Sequence, residues 1–143
     1  MAIGFNAEYE IVEVAGSNLN QGSNAVHVEA YLAGGGVVRR FGVVSEASQG
    51  LLAPSVLALR VSYDGGTNFT ELATLTPGVT ARGIPVVNTL STKTAARLSP
   101  GALLQVVDKT AGGGTSTGRV WMEIQREPLN GTSAPSNLVT KTS

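Results

Sequence analysis

The sequence predicts an all-β protein, an antiparallel β-sandwich or barrel of about seven to nine short strands with at most one short helix. Short apolar runs alternate with clusters of glycine, serine, threonine and asparagine along most of the chain. Valine and threonine, whose branched side chains favour strands, are abundant. Long apolar repeats with helical spacing are missing. These three features favour many strands joined by tight turns.

The chain of 143 residues is long enough for one ordinary domain. Hydrophobic residues make up 42% of it but aromatic residues only 5%, so we expect a core of mainly valine, leucine and alanine. The composition changes at Pro128, after which prolines and polar residues dominate. We therefore divide the chain into a β domain over residues 1–127 and an extended or flexible C-terminal arm over residues 128–143.

Charge and cysteine content exclude several classes of function. Ten basic and ten acidic side chains give a formal net charge of zero, whereas nucleic-acid binders carry a basic excess. The absence of cysteine excludes disulfide scaffolds, zinc ribbons and thiol catalysis. No apolar run approaches the roughly 18 residues of a membrane span, and the N-terminus does not resemble a signal peptide. We expect no cofactor, no nucleic-acid partner and no membrane partner, with synthesis in a cytoplasm.

The N-terminal part of the chain predicts two strands. Tyr9–Val14 has the composition of a strand, but its alternation slips, which is typical of a bulge or an edge position. The clearest alternation lies in Ala25–Leu32, where the aliphatic residues form one face. This pattern places His27 outward, together with Glu29 and Tyr31.

Two hairpins follow from the turn residues. Gly34–Gly36 supplies a flexible turn, so Ala25–Leu32 is predicted to pair with Val37–Val44. The second hairpin pairs Val56–Tyr63 with Phe69–Leu75 across an aspartate-glycine turn.

The remaining elements are less uniform. Val79–Leu90 contains Pro85, which has no N–H to donate to a strand ladder, so its middle is predicted to be an edge strand or a loop. Ser91–Leu98 is the one candidate for a short helix, since it begins with capping residues and is followed by proline and glycine. Leu103–Asp108 and Arg119–Glu127 are predicted to close the domain as two strands. Polar loops are expected at Ser17–Asn24 and Lys109–Gly118, and Ser45–Pro54 is expected to be a connection with room for one helical turn.

The most specific local motif lies in the second hairpin. Ser62, Asp64, Gly66 and Phe69 match the spacing of the Asp-box, and Gly65 adds a second glycine to the turn. The aspartate can accept hydrogen bonds from turn amides, the glycines can adopt positive φ, and the phenylalanine can cover the turn. The motif resembles the Asp-box of sialidases and related propellers, where its role is structural. We expect a structural turn here, with a ligand or calcium role as the alternative.

Three further side chains are candidates for an interface. Arg39 and Arg40 are neighbours in a predicted strand, so simple alternation points them to opposite faces. We expect a salt bridge from this pair to a glutamate on a neighbouring strand or to a partner subunit. Trp121 shares its predicted face with Arg119 and Glu123. An exposed tryptophan marks an interface or a sugar-binding platform, and a core position is the alternative.

Two further sequence patterns could suggest an enzymatic site, but each lacks residues that such a site needs. Gly112–Gly114 lacks the lysine that ends a phosphate-binding loop, so we expect a flexible loop there. His27 shares its predicted face with Glu29, but the spacing identifies no nucleophile and no second base. We therefore assign no catalytic residue and no metal ligand.

Leu59–Phe69, with the letters LRVSYDGGTNF, resembles the S-x-D-G-G-T-x-F hairpin of many structural proteins of tailed bacteriophages. The neutral, cysteine-free composition is similar to that class, and within it the single small domain most resembles a capsid decoration (cement) protein. The resemblance implies a non-enzymatic protein of the virion that binds the major capsid protein or another virion protein and forms a homo-oligomer, with a trimer favoured. A tail, collar or fibre-base protein is one alternative, and a glycan-binding module is another.

The arm over residues 128–143 carries two apolar residues near its end, Leu138 and Val139. Its composition does not support a core of its own. Backbone pairing and side-chain pockets let an extended segment bind a neighbouring sheet. We expect the arm to become ordered across a subunit or capsid contact, and an arm that stays disordered is the alternative.

Overall fold

The structure is a computed structural model that describes residues 9–19, 21–46, 56–78, 80–90, 96–110 and 117–127. Within these ranges the chain forms nine strands and no α-helix. The strands pair in two antiparallel sheets, which confirms the predicted sandwich. They are β1 (Glu10–Asn18), β2 (Val26–Leu32), β3 (Gly36–Ser45), β4 (Val56–Ser62), β5 (Thr70–Leu75), β6 (Pro85–Thr89), β7 (Arg97–Leu98), β8 (Ala102–Thr110) and β9 (Thr117–Arg126).

The two sheets differ in size and share two margins. The first sheet has the order β1-β9-β3-β6, and the short β7 also pairs with β3. The second sheet has the order β2-β8-β4-β5. Edge strand β1 contacts edge strand β2, and β5 contacts β6. Each margin of the sandwich is therefore formed by one edge strand from each sheet.

The core lies between the sheets and consists mainly of leucine and valine, as the composition predicts. The central strands supply core side chains by alternation, because every second residue of β4 and of β9 points inward. Larger side chains fill its middle. The fully buried ones include Phe41, Leu57, Leu59, Leu104, Met122 and Ile124.

The predicted hairpin between Ala25–Leu32 and Val37–Val44 is wrong. β2 pairs with β8 in the second sheet, whereas β3 pairs with β9 in the first. The glycine turn carries the chain from one sheet to the other. Gly35 has φ +79, and a side chain at Gly36 would collide with the backbone carbonyl of Gln125. Glycine is required here by a close crossing, not by a hairpin.

The predicted helix over Ser91–Leu98 is wrong at its end, where Arg97–Leu98 form β7. Residues 91–95 lie outside the described ranges.

Pro85 begins edge strand β6, a position at which the missing N–H does not interrupt a ladder. In the part of the chain that the structure describes, no helix is long and apolar enough to cross a membrane.

Three β-bulges decide which way polar side chains point. Each adds one residue to a strand relative to its partner, so the alternation changes phase at that place. The bulges lie in β1 between Val14 and Ser17, in β2 between Val26 and Val28, and in β3 between Val38 and Arg40. The predicted slip within Tyr9–Val14 is not a bulge, because β1 pairs regularly with β9 from Glu10 to Val14, but the alternative interpretation, an edge position, is confirmed. The β1 bulge lies around Gly16, which has φ +69.

Candidate functional site

A chain of three buried polar side chains links the two sheets at one end of the sandwich. The Ser17 hydroxyl lies 2.7 Å from Nδ1 of His27, and Nε2 of His27 lies 2.7 Å from Oδ1 of Asp108. The backbone N–H of Gln21 donates to the other carboxylate oxygen of Asp108 at 3.2 Å. Ser17 is 9% exposed, His27 5% and Asp108 0%. We call these three side chains the buried relay.

The relay exists because two bulges turn its members inward. The bulge around Gly16 rotates Ser17 toward the interior, opposite Gly118. His27 is the extra residue of the β2 bulge. The predicted outward position of His27 is thus wrong, because the bulge breaks the alternation on which the prediction depended. A glycine inside a strand is a known signal of a bulge, and Gly16 is the one such signal within β1 and β2, the strands that carry Ser17 and His27.

The relay contains the residue types of a serine-hydrolase triad, but its geometry favours a structural role. With the His27 proton on Nε2, the ring donates to Asp108 and accepts from Ser17. In the serine-protease arrangement the serine faces Nε2 and the aspartate faces Nδ1, so the two nitrogens are exchanged here. The burial of all three residues also closes the serine to a substrate. The relay satisfies a buried carboxylate and ties β1 of the first sheet to β2 and β8 of the second.

A second cluster lies on the outer face of the first sheet. Nε of Arg40 lies 2.7 Å from Glu123 on the neighbouring strand β9, and Nε of Arg39 lies 3.9 Å from the same carboxylate oxygen. The Arg39 guanidinium stacks 5.2 Å from the ring centroid of Tyr9, and that of Arg40 lies 5.7 Å from the ring of Trp121. These five residues form what we call the arginine–aromatic cluster.

The predicted opposite orientation of Arg39 and Arg40 is wrong. The β3 bulge makes Arg39 an extra residue, so both arginines reach Glu123 on the outer face. Trp121 lies on that face as the alternation predicts and is half-buried. A Cβ atom at Gly42 would approach its ring to 2.8 Å, so the indole packs on the bare backbone of Gly42. Trp121 is therefore neither a core residue nor fully open to solvent.

The aspartate-glycine turn joins β4 to β5. Oδ1 of Asp64 accepts hydrogen bonds from the Ser62 hydroxyl at 2.7 Å and from the backbone N–H groups of Thr67 and Asn68. Oδ2 accepts from the side-chain amide of Asn68. The Ser62 hydroxyl also accepts from the N–H of Gly66. The described bonds of this carboxylate are all made within the turn.

The same bonds act on the ionisation of Asp64. Donation from the backbone N–H of Asn68, then from the Ser62 hydroxyl and the Asn68 side chain, holds the pKa of Asp64 well below its usual range. The glycines adopt left-handed conformations, with φ +76 at Gly65 and +99 at Gly66. Phe69 lies beside the turn and stacks against the guanidinium of Arg60, whose Cζ is 3.9 Å from the centroid of the Phe69 ring.

A shallow depression of about 170 Å³ lies on the outer face of the second sheet. The charged side chains that line it already have partners. Nζ of Lys109 lies 3.0 Å from Glu71, and Arg60 donates to the neighbouring Gln105. Burial lowers the pKa of Arg60. Among the described residues, no group of three or more histidine, aspartate or glutamate side chains is placed to hold a metal ion.

Some predicted features lie outside the described ranges. They are the glycine loop Gly112–Gly114 and the apolar pair Leu138 and Val139 of the arm.

Comparisons with known proteins identify no family. No family model and no curated protein matches the chain. Among solved structures, the chain is similar to the N-terminal CBM22-1 and GH10 modules of the Clostridium thermocellum endo-1,4-beta-D-xylanase 10B in complex with xylohexaose, with 15% identity and a TM-score of 0.39. The match covers 92% of this chain and 26% of that chain, so this chain spans about a quarter of its length. A likeness of this weakness carries no argument about function.

Removing the carboxylate of the buried relay is expected to destabilise the fold strongly. Asp108→Ala leaves His27 and the Gln21 N–H without an acceptor, at a cost of about 3–5 kcal/mol in the free energy of unfolding. Asp108→Asn keeps one acceptor for His27 and is expected to cost less. Urea unfolding followed by circular dichroism measures both variants. A loss below about 1 kcal/mol in Asp108→Ala would show that the relay is dispensable.

The Asp64 turn is expected to give a pH-dependent contribution to stability. Because the folded pKa of Asp64 is lowered, the contribution is present at neutral pH and is lost as the pH falls through the acidic range. Asp64→Asn should therefore lower the thermal midpoint at pH 7, and its difference from wild type should shrink below about pH 4. A difference that stays constant between pH 7 and pH 3 would contradict this explanation. Calorimetric titration with calcium should show no binding in either protein.

Proposed function

We propose that the chain is a non-enzymatic structural protein of a bacteriophage particle, where it binds and stabilises the capsid shell as a decoration (cement) protein. The sequence resemblance in Leu59–Phe69 and the neutral, cysteine-free composition support the class. The observation that carries the binding role is the arginine–aromatic cluster on the outer face of the first sheet.

The cluster has the chemistry of a protein–protein contact. Tryptophan, tyrosine and arginine are the residues that most often dominate binding energy at interfaces. Oε1 of Glu123 lies 2.7 Å from Nε of Arg40 and holds its side chain in place. Binding a partner therefore costs less conformational entropy, because this long side chain is already ordered. The side chains of Arg39 and Arg40 are 53% and 42% exposed, so they can still contact a second surface.

The proposed partner is the major capsid protein or another virion protein, and the proposed location is the virion. The chain is also proposed to contact copies of itself, with a trimer favoured by the sequence resemblance. In this scheme the C-terminal arm, with Leu138 and Val139, reaches a neighbouring subunit. A tail, collar or fibre-base protein is the alternative within the same class, and the number of copies per particle separates the two.

Glycan binding at Trp121 has less support from the geometry. A sugar platform needs an aromatic ring with an open face. The ring of Trp121 is packed on Gly42 and approached by Arg40.

Quantitative mass spectrometry of particles purified from the producing host tests the proposed function. A decoration protein is present in hundreds of copies per particle, and a tail or fibre-base part in few. Particles without any copy of the chain would overturn the proposal.

Rebinding to particles stripped of the chain tests the surface. Arg39→Glu reverses the charge of an exposed cluster residue and should weaken binding by about tenfold or more. Lys109→Glu reverses a charge of similar exposure on the other sheet and should leave binding unchanged. Truncation after Glu127 should weaken binding if the arm contributes. Equal binding by wild type and Arg39→Glu would exclude the cluster as the attachment surface.

A further inference from the structure

Edge strand β1 is the most open pairing edge among the described residues. It pairs with β9 on one side, and no described strand pairs with its other side. β1 is nine residues long, and Ile11 and Val14 on it are 48% and 41% exposed. A long edge with exposed apolar side chains is a template for another strand.

Residues 10–14 of β1, which precede its bulge, lack two common devices that keep edge strands from pairing. They contain no proline and no lysine. Their two carboxylates are neutralised by arginines of β9, with Glu10 2.8 Å from Arg126 and Glu13 2.9 Å from Arg119. The strand therefore presents an edge without net charge.

The other edges of the sandwich are less suited to pairing. β6 begins with Pro85, which has no N–H to donate to an added strand. The β2 edge is interrupted by the bulge at His27, and β5 pairs irregularly with β4. β1 from residue 10 to residue 14 is regular.

We infer that β1 is a self-association edge, at which β1 of a second copy pairs antiparallel across a two-fold axis. With Val12 opposite Val12 of the second copy, Ile11 faces Glu13 and Glu10 faces Val14. No carboxylate then lies opposite another carboxylate, which would destabilise the pair. The net charge of zero also removes repulsion between whole copies. The first sheets of the two copies become one continuous sheet, through an isologous contact.

The test is the molar mass of the purified chain, measured by light scattering after size exclusion over a dilution series. The free wild-type chain should form a dimer that dissociates on dilution, through a two-fold contact that is separate from the contacts of the trimer proposed on the particle. Ile11→Lys/Val14→Lys places two lysines on the β1 edge and should raise the dimer dissociation constant by at least about 30-fold. Ile84→Lys/Val87→Lys is the matched control, because it makes the same two replacements in exposed residues at the opposite edge and should leave the dimer unchanged.

Three results would overturn the inference. They are a wild type that is monomeric throughout the series, an oligomer of any size that both double variants leave intact, and equal weakening by both variants. If the β1 variant does not fold, hydrogen exchange of wild type decides, since those amides of residues 10–14 that point away from β9 should exchange more slowly at high than at low protein concentration. Equal exchange at both concentrations would contradict the pairing. Failure here leaves the proposed particle attachment standing, because that assay needs no dimer.

Discussion

A carboxylate without access to water, that of Asp108, is the constraint around which this sandwich is arranged. Burying a charged group is costly unless protein donors replace the lost water. Here the ring of His27 and the N–H of Gln21 replace it, and Ser17 completes the chain. Ser17 lies on β1, and the other two side chains lie on β2 and β8. The hydrogen bonds that satisfy this one carboxylate therefore connect the two sheets at the margin formed by β1 and β2.

The bulges are the means by which a regular sandwich accommodates this chemistry. In β1 and β2 they turn Ser17 and His27 inward, and in β3 a third bulge brings Arg39 to the same side as Arg40. Two one-residue insertions, in β1 and β2, thus build the buried relay. A third, in β3, builds the arginine–aromatic cluster. The interior relay holds the sheets together, and the outer cluster is available for binding. The structure in this way separates the residues that stabilise the fold from those proposed to contact a partner.

Much of the fold could be predicted from the sequence because alternation and turn chemistry are local. The alternation of inward residues along β4 and β9 and the turn at Asp64 follow from period-two patterns or from glycine and aspartate spacing. Alternation also places Trp121 on the face opposite Val120 and Met122, but it left open whether that face is exposed or covered. The partner of β2 could not be predicted, because a glycine-rich turn is compatible with both a hairpin and a crossing between sheets. The relay could not be predicted either. It depends on two phase changes in edge strands, and only Gly16 gave any sign of one of them.

The central claim is that the buried relay holds edge strand β1 against the second sheet, and hydrogen exchange in wild type and Ser17→Ala tests it most directly. The substitution removes the one side-chain bond of the relay that β1 contributes and leaves the His27–Asp108 bond in place. The amides of β1 that bond to β9 should then exchange faster, while the amide of Leu59 in central strand β4 keeps its protection, since local opening leaves the rest of the core intact. Unchanged exchange in β1, or an equal increase in β1 and β4, would contradict the claim.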